Sequence, residues 1–280
     1  MKVLILGATG LLGKPLVREW RGDDVVGVGS RDVDIRDEAR VREIVHSAQP
    51  DWIVLAAAYT DVDGCESHQE LAFAVNRDGA LNVARAAQSV GAKMLFISSD
   101  YVFDGKKNSP YEINDQRNPQ SVYGRTKAEA ELGLLQVLSD CCIARTSWLF
   151  GAGGKCFPDT ILKLAANRTS LDVVNDQRGC PTYTVDLSRA IIELCRKNAT
   201  GIVHVTNAGD CTWFEFASEI VKDGGLTTEV RPVSSQQMAR PAPRPAYSIL
   251  SATSLGQYGI EMPGWKHALR RYLEERKSAA

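Results

Sequence analysis

The segment SVYGRTKAEAE (residues 121–131) sets Tyr123 four residues before Lys127. Residues four apart share one face of a helix. An ammonium beside a phenol favours the phenolate and lowers its pKa from about 10 toward working pH. Such a tyrosine can give a proton to a carbonyl oxygen as hydride reaches the carbon, and the lysine can also hold a nicotinamide ribose. Tyr-x-x-x-Lys recurs by chance, so its place matters: it directly follows a β-rich run and its loop. That run ends in FISSDYVFDG (96–105), with Ser98 and Ser99 at the end where ligands of open α/β sheets bind. One of these hydroxyls would polarise the carbonyl beside Tyr123. A serine pair at a strand end is also ordinary turn chemistry; its combination with Tyr123 and Lys127 speaks for catalysis.

A second constellation lies at the N-terminus. ILGATGLLG (5–13) spaces Gly7, Gly10 and Gly13 three apart, between an apolar run and a helical pattern. Glycines at such a turn allow a tight bend, close approach of backbone amides to a pyrophosphate, and close packing of helix on strand. The next β-rich run ends in VVGVGSRD. Gly29 and Ser30 hold the places where an acid would select NAD, and Arg31 follows. A guanidinium suits a 2′-phosphate, so NADPH is expected, with NADH as the alternative. Arg31 could equally cap the surface, and Asp32 could still reach the ribose. Asp34 and Ile35 would flank the adenine. Ala56, Ala57 and Ala58, before Tyr59, are small enough to let a cofactor pass close to the backbone. Asn76 either fixes backbone or cofactor amides or is a polar surface residue. The expected cofactor set is therefore Gly7, Thr9, Gly10, Leu11, Leu12, Gly13, Ser30, Arg31, Asp34, Ile35, Ala56, Ala57, Ala58, Tyr59, Asn76, Ser98, Tyr123 and Lys127.

These residues need strands and helices to hold them. Apolar runs at 3–6, 25–28, 52–55, 93–97 and 141–144 read as strands. Segments 11–20, 37–46, 71–90 and 121–138 read as helices, the third closed by Gly91. This alternation predicts an α/β fold: a Rossmann-type doubly wound parallel sheet over residues 1–150. Beyond about 150 the rhythm loosens. Helices are expected at 157–167, 185–197, 213–222 (with Thr212 as N-cap) and 265–276, and strands at 171–174 and 202–205. This second part, 151–280, reads as a smaller C-terminal α/β substrate-binding region, with about 180–205 packing back on the first. The proline-rich ARPAPRPAYS (239–248) cannot be regular helix or sheet.

The bulk numbers exclude several classes. With 33 basic and 34 acidic residues the net charge is -1, which gives no reason to expect nucleic-acid or membrane binding. No apolar stretch approaches a membrane span, and the N-terminus reads as a first strand, not a signal peptide. The seven cysteines include no C-x-x-C pair, which fits free thiols in a reducing cytoplasm. His46, His68, His204 and His267 show no metal-ligand spacing.

The motifs GATGLLG, AAAYTDVD, SSDYVFDG, NPQSVYGRTKAEAE, ARTSWLFG, NDQRGCPTYTVDL, GIVHVTNAGDCTWFEFA and PAPRPAYSIL stand in order over nearly the whole chain. Together they resemble the dTDP-4-dehydrorhamnose reductase family, in the extended branch of the short-chain dehydrogenase/reductases. The resemblance implies NADPH-dependent reduction of the C4 keto group of a dTDP-4-keto-6-deoxyhexose. It makes Tyr123 and Lys127 the catalytic pair and Ser99 the assisting hydroxyl. Thr60, Val62, Ser99, Tyr101, Tyr123 and Trp148 would lie near the deoxysugar, and Arg244 would offer its cation to the diphosphate. Some members pair through a metal held by an acid early in the first helix; Lys14-Pro15 stands there instead, so no metal is expected. The chain is expected to be a monomer or homodimer, and Glu274 and Glu275 to form a solvated face. Two other readings remain. One is an epimerase or dehydratase of the same superfamily, which would want NAD and an acid after the second strand. The other is a non-catalytic NADP-binding regulatory subunit like the β subunit of methionine adenosyltransferase.

Overall fold

The computed structural model describes residues 1–278. In chain order the strands are β1 (Lys2–Leu6), β2 (Asp24–Val28), β3 (Trp52–Leu55), β4 (Lys93–Ser99), β5 (Cys141–Thr146), β6 (Leu149–Phe150), β7 (Ser170–Val174), β8 (Arg178–Gly179), β9 (Thr182–Tyr183), β10 (Gly201–His204), β11 (Cys211–Thr212) and β12 (Glu229–Val233). The helices are α1 (Gly13–Glu19), α2 (Glu38–Ala48), α3 (Val62–Ser67), α4 (Gln69–Phe73), α5 (Gly79–Val90), α6 (Val122–Val137), α7 (Phe157–Ala165), α8 (Thr184–Arg196), α9 (Trp213–Asp223), α10 (Thr253–Gly256) and α11 (Trp265–Ser278).

Six strands make one sheet in the order β10-β5-β4-β3-β1-β2. Every pairing in it is parallel, so each connection must cross over, and helices supply the crossovers. Trp52–Leu55 and Cys141–Thr146 are buried along their whole length because helices cover both faces. Val41, Val83 and Leu134 from α2, α5 and α6 pack on one face. Leu16 of α1 and Leu187, Ile191 and Leu194 of α8 pack on the other. The strand order reverses at β1, which has β2 on one side and β3 on the other. The crevice beyond the carboxyl ends of β1 and β3 is therefore the switch point where ligands bind in such sheets.

A second core forms beside this one. Phe150, Phe216, Trp265 and Tyr272 gather α7, α9 and α11 around the parallel pair β7–β12. Between the two cores the chain returns to the sheet: α8 packs against α1, and β10 pairs with β5.

The structure adds the short elements α3, α10, β6, β8, β9 and β11 to those expected from the sequence, and it differs further in two longer segments. The single helix expected over 71–90 is α4, a π-helix (Ala74–Asp78) and α5. The wider π turn sets Asn76 inward, buried to 1% exposure. Strand β12 was not foreseen. It carries Pro232 and alternating exposed residues, a pattern that only an edge strand tolerates. Thr212 does cap α9, in a capping box with Glu215. Among the described residues no helix is long and apolar enough to cross a membrane.

Candidate active site

The glycine turn after β1 is held by geometry that a side chain would destroy. Gly7 has φ +90°, and a Cβ there would stand 2.5 Å from the amide nitrogen of Ala57. A Cβ on Gly13 would lie 2.0 Å from the carbonyl oxygen of Gly7. The amides of Gly7 and Ala8 both donate to the carbonyl of Val28, tying the turn to β2. Above the turn opens a cavity of about 400 Å³. Gly7, Thr9 and Gly10 line it from below, Ser30, Asp34 and Ile35 from the β2 side, and Ala56, Ala57, Ala58 and Tyr59 from the β3 side.

The other expected cofactor residues stand elsewhere. Leu12 and Gly13 are buried beneath the turn, and Leu11 packs toward the second core. Arg31 is exposed and does not line the cavity; Arg36, passed over in the sequence, does. Arg36 is ion-paired to Asp34 at 2.5 Å. Asp32 does not turn to a ribose site, because its Oδ2 accepts from the Gly29 amide at 3.0 Å. Each acid just past β2 is thus engaged within its own loop. Asn76 is a brace: its Oδ1 accepts from Tyr59 N, and its Nδ2 donates to Tyr59 O and Thr126 Oγ1. It ties the β3 loop to α6.

The chemical groups meet where β4 ends. Ser121 caps α6 by accepting from Gly124 N, and Tyr123 and Lys127 follow on the helix. The Tyr123 ring stands edge-on to Tyr101 at 5.6 Å, with the Ser99 hydroxyl beside its phenol. Ser99 Oγ donates to Asp100 Oδ1 at 2.9 Å and accepts from Tyr101 N at 3.2 Å. Lys127 is buried. Its Nζ donates to Ile97 O at 3.0 Å and lies 4.6 Å from the centre of the Phe96 ring.

The electrostatics correct the expectation of a phenol made acidic by its lysine. Burial pushes the Tyr123 pKa up, and the carboxyl of Asp100 adds to it. Burial also pulls Lys127 down to about 8. Desolvation disfavours the charged form of each group and is the largest cause of both shifts. The Ser98 side chain is engaged within the core: its Oγ donates to Glu131 Oε1 at 2.5 Å. Glu131 also accepts from Arg145 and Arg117. This network, unread in the sequence, joins the end of β4 to α6 and β5.

A second cavity of about 590 Å³ opens between Tyr101 and the C-terminal region, with Phe157, Gln177, Trp213, Met238 and Arg244 on its walls. Arg244 lines it with its guanidinium already held by Asp63, at 2.8 and 2.9 Å. Trp148, at φ +47°, stacks on Trp213 with ring centres 3.5 Å apart, so it backs the cavity wall through its partner. Thr60 is exposed and Val62 half-buried at the start of α3; neither lines this cavity. Glu275 is not on a solvated face: it accepts from Tyr183 Oη and Arg18. Among the described residues no group of three or more His, Cys, Asp or Glu side chains is placed to hold a metal ion.

Comparison with known proteins places this geometry. The model of the RmlD substrate binding domain matches residues 1–278. The chain is 41% identical over 280 residues to the spore coat polysaccharide biosynthesis protein SpsK of Bacillus subtilis, covering 99% of each. It is 40% identical over 276 residues to dTDP-4-dehydrorhamnose reductase of Streptomyces griseus, covering 95% of this chain and 91% of that one. The crystal structure of dTDP-4-dehydrorhamnose reductase from Bacillus anthracis in complex with NADP superposes with a TM-score of 0.96 at 38% identity, covering 98% of this chain and all of that one. With a matching family model over almost its full length and full-length relatives near 40% identity, the chain belongs to the dTDP-4-dehydrorhamnose reductase (RmlD) family.

Proposed function

We propose that this chain reduces the C4 keto group of a dTDP-4-keto-6-deoxyhexose, dTDP-4-dehydrorhamnose to dTDP-L-rhamnose, with NADPH as reductant and NADH as the alternative. The observation that carries the reading is the meeting of Ser99, Tyr123 and Lys127 at the end of β4, near a glycine-turn cavity and a wider cavity walled by Tyr101 and Arg244.

The residues present fit the cofactor. The Gly7 and Gly13 cradle leaves no room for a Cβ, the cavity above it is walled by small residues, and its β2 side offers a serine and a guanidinium with no unengaged acid. Gly7, Gly10 and the Ala56–Ala58 backbone would hold the pyrophosphate region, and Ser30 and Arg36 the adenosine end. NADPH supplies the hydride when bound. The chain's own residues do the rest. Tyr123 holds a proton at Oη for the oxygen that becomes the hydroxyl; the raised pKa keeps the phenol protonated until then. Lys127, buried and poised near neutrality, supplies a cation under Tyr123 and a donor toward a ribose. Ser99 fixes the same oxygen by hydrogen bond. Tyr101, Trp213 and Arg244 bound the space for the sugar nucleotide, and Arg244 reaches its diphosphate from the place where Asp63 holds it.

On this reading residues 1–150 mainly bind cofactor and 151–280 mainly substrate. The protein acts as a monomer or homodimer on a small molecule, with no nucleic-acid or membrane partner. Its seven unpaired, buried cysteines suit the cytoplasm. The test is NADPH oxidation over a panel of nucleotide 4-keto-sugars, with NADH in parallel. Turnover of the dTDP-4-keto-6-deoxyhexoses is expected; turnover of none refutes the reading.

A further inference from the structure

Asp100 sits directly behind the reacting groups, at 1% exposure. Its Oδ1 takes the only proton that the Ser99 hydroxyl has to give. Its Oδ2 is buried without a hydrogen-bond partner. While the carboxylate keeps that proton, Ser99 Oγ offers only lone pairs to the cleft, and one of these already accepts from Tyr101 N. A hydroxyl in that state cannot donate to a substrate carbonyl. Protonation of the carboxyl reverses the bond: the acid donates to Ser99 Oγ, and the serine proton is released toward the cleft.

The geometry points to Asp100 as a positioning residue: protonated, it turns the Ser99 hydroxyl toward the substrate oxygen, and ionised, it holds that hydroxyl away. This rests on the reading of the site as a carbonyl-reducing one. The surroundings support it. The titratable and polar groups that face the carboxyl are Tyr101 on its own turn, Tyr123 from α6, Cys180 after β8, Ser99 and Ser248. Burial raises its pKa to about 6; the nearby Ser248 hydroxyl, which stands short of a full hydrogen bond, and the Ser99 hydroxyl only partly offset that. Both states are therefore populated near neutral pH. The proton exchanges with solvent and no bond to carbon changes.

The test is the pH profile of kcat/KM between pH 5 and 7.5, measured with NADPH and the dTDP-4-keto-6-deoxyhexose. The wild type is expected to fall about twenty- to thirtyfold through an inflection near pH 6, because losing one oriented donor costs roughly a hundredfold or more and only about 3% of the carboxyl stays protonated at pH 7.5. Asp100→Asn, whose amide donates to Ser99 at every pH, keeps the low-pH rate across the range. Ser99→Ala is flat at the low rate, with circular dichroism confirming that both variants fold. A flat wild-type profile, or an inflection that persists in Asp100→Asn, overturns the inference. A second arm needs no turnover. Infrared pH-difference spectra, wild type minus Asp100→Asn, should show a protonated-carboxyl stretch that titrates near pH 6, and its absence overturns the inference. If the chain reduces no keto-sugar, the functional reading falls, and the infrared arm still decides whether Asp100 takes the proton.

Discussion

Replacing Glu131 by Gln tests how the fold holds its chemistry. Glu131 on α6 and Arg145 on β5 are both fully buried. Arg145 Nε and Nη2 donate to the carboxylate at 2.9 and 2.7 Å, Arg117 Nε at 2.5 Å and Ser98 Oγ at 2.5 Å. The amide keeps the shape but leaves Arg145 as an uncompensated buried charge, a loss of about 3–5 kcal/mol. With an unfolding entropy of roughly 0.6 kcal/mol per degree for a chain of this size, Tm drops by about 5–8 °C. The pH dependence has a definite sign. Burial raises the Glu131 pKa, but its hydrogen bonds from Arg145, Ser98 and Arg117 win and hold it below the ordinary range. Its contribution is complete above the unfolded value of about 4.5 and is lost as pH falls through the lower folded one. The gap between wild type and variant should therefore be constant at neutral pH and close in acid. Because Ser98 adjoins Ser99 and Glu131 lies one turn beyond Lys127, kcat should also fall, by about tenfold, with the KM for NADPH nearly unchanged. Differential scanning fluorimetry from about pH 2.5 to 8 and steady-state kinetics read both effects. A Tm within about 2 °C of wild type, together with an unchanged kcat, refutes the reasoning.

Lys127→Met should abolish reduction yet stabilise the protein. Burial holds the folded pKa at about 8 against 10.5, which corresponds to a penalty of about 3 kcal/mol at neutral pH, less what the bond to Ile97 returns. That penalty is complete below the folded value and vanishes as pH rises through the unfolded one, so the Tm advantage should shrink in alkali; a variant less stable at pH 7 contradicts this. Gly13→Ala drives a methyl group against the Gly7 carbonyl and should weaken NADPH binding by roughly thirtyfold or more, about 2 kcal/mol; a fluorescence titration with unchanged Kd would count against the cradle. Arg36→Ala should reduce the preference for NADPH over NADH about tenfold, while Arg31→Ala leaves it nearly intact. The opposite order would return the selecting role to Arg31.

What could be read from the sequence was local. The glycine turn announces itself because Gly7 and Gly13 are spaced by one tight bend. Tyr123 and Lys127 are visible because a helix fixes their separation. The strands at 52–55 and 141–144 are legible as unbroken apolar runs because both of their faces are covered. Pairs made by the fold were hidden. Asp63 and Arg244 are 181 positions apart, and nothing near either names the other. Arg31 and Arg36 are chemically alike, and only the path of the loop after β2 decides which faces the cavity. The acidity of Tyr123 was misjudged because spacing shows a neighbouring charge but not the burial that opposes it. Asp100 lay in plain view inside SSDYVFDG, yet its part depends on a hydrogen-bond direction that letters do not carry.

The central claim is that Tyr123 gives the proton to a dTDP-4-keto-6-deoxyhexose while NADPH is consumed. The most direct measurement is single-turnover NADPH oxidation with that sugar nucleotide, comparing wild type with Tyr123→Phe at matched cofactor saturation. The account predicts one NADPH oxidised per sugar reduced by the wild type, and a loss of at least about a hundredfold in rate for the variant, with cofactor binding retained. A variant that turns over near the wild-type rate would contradict it.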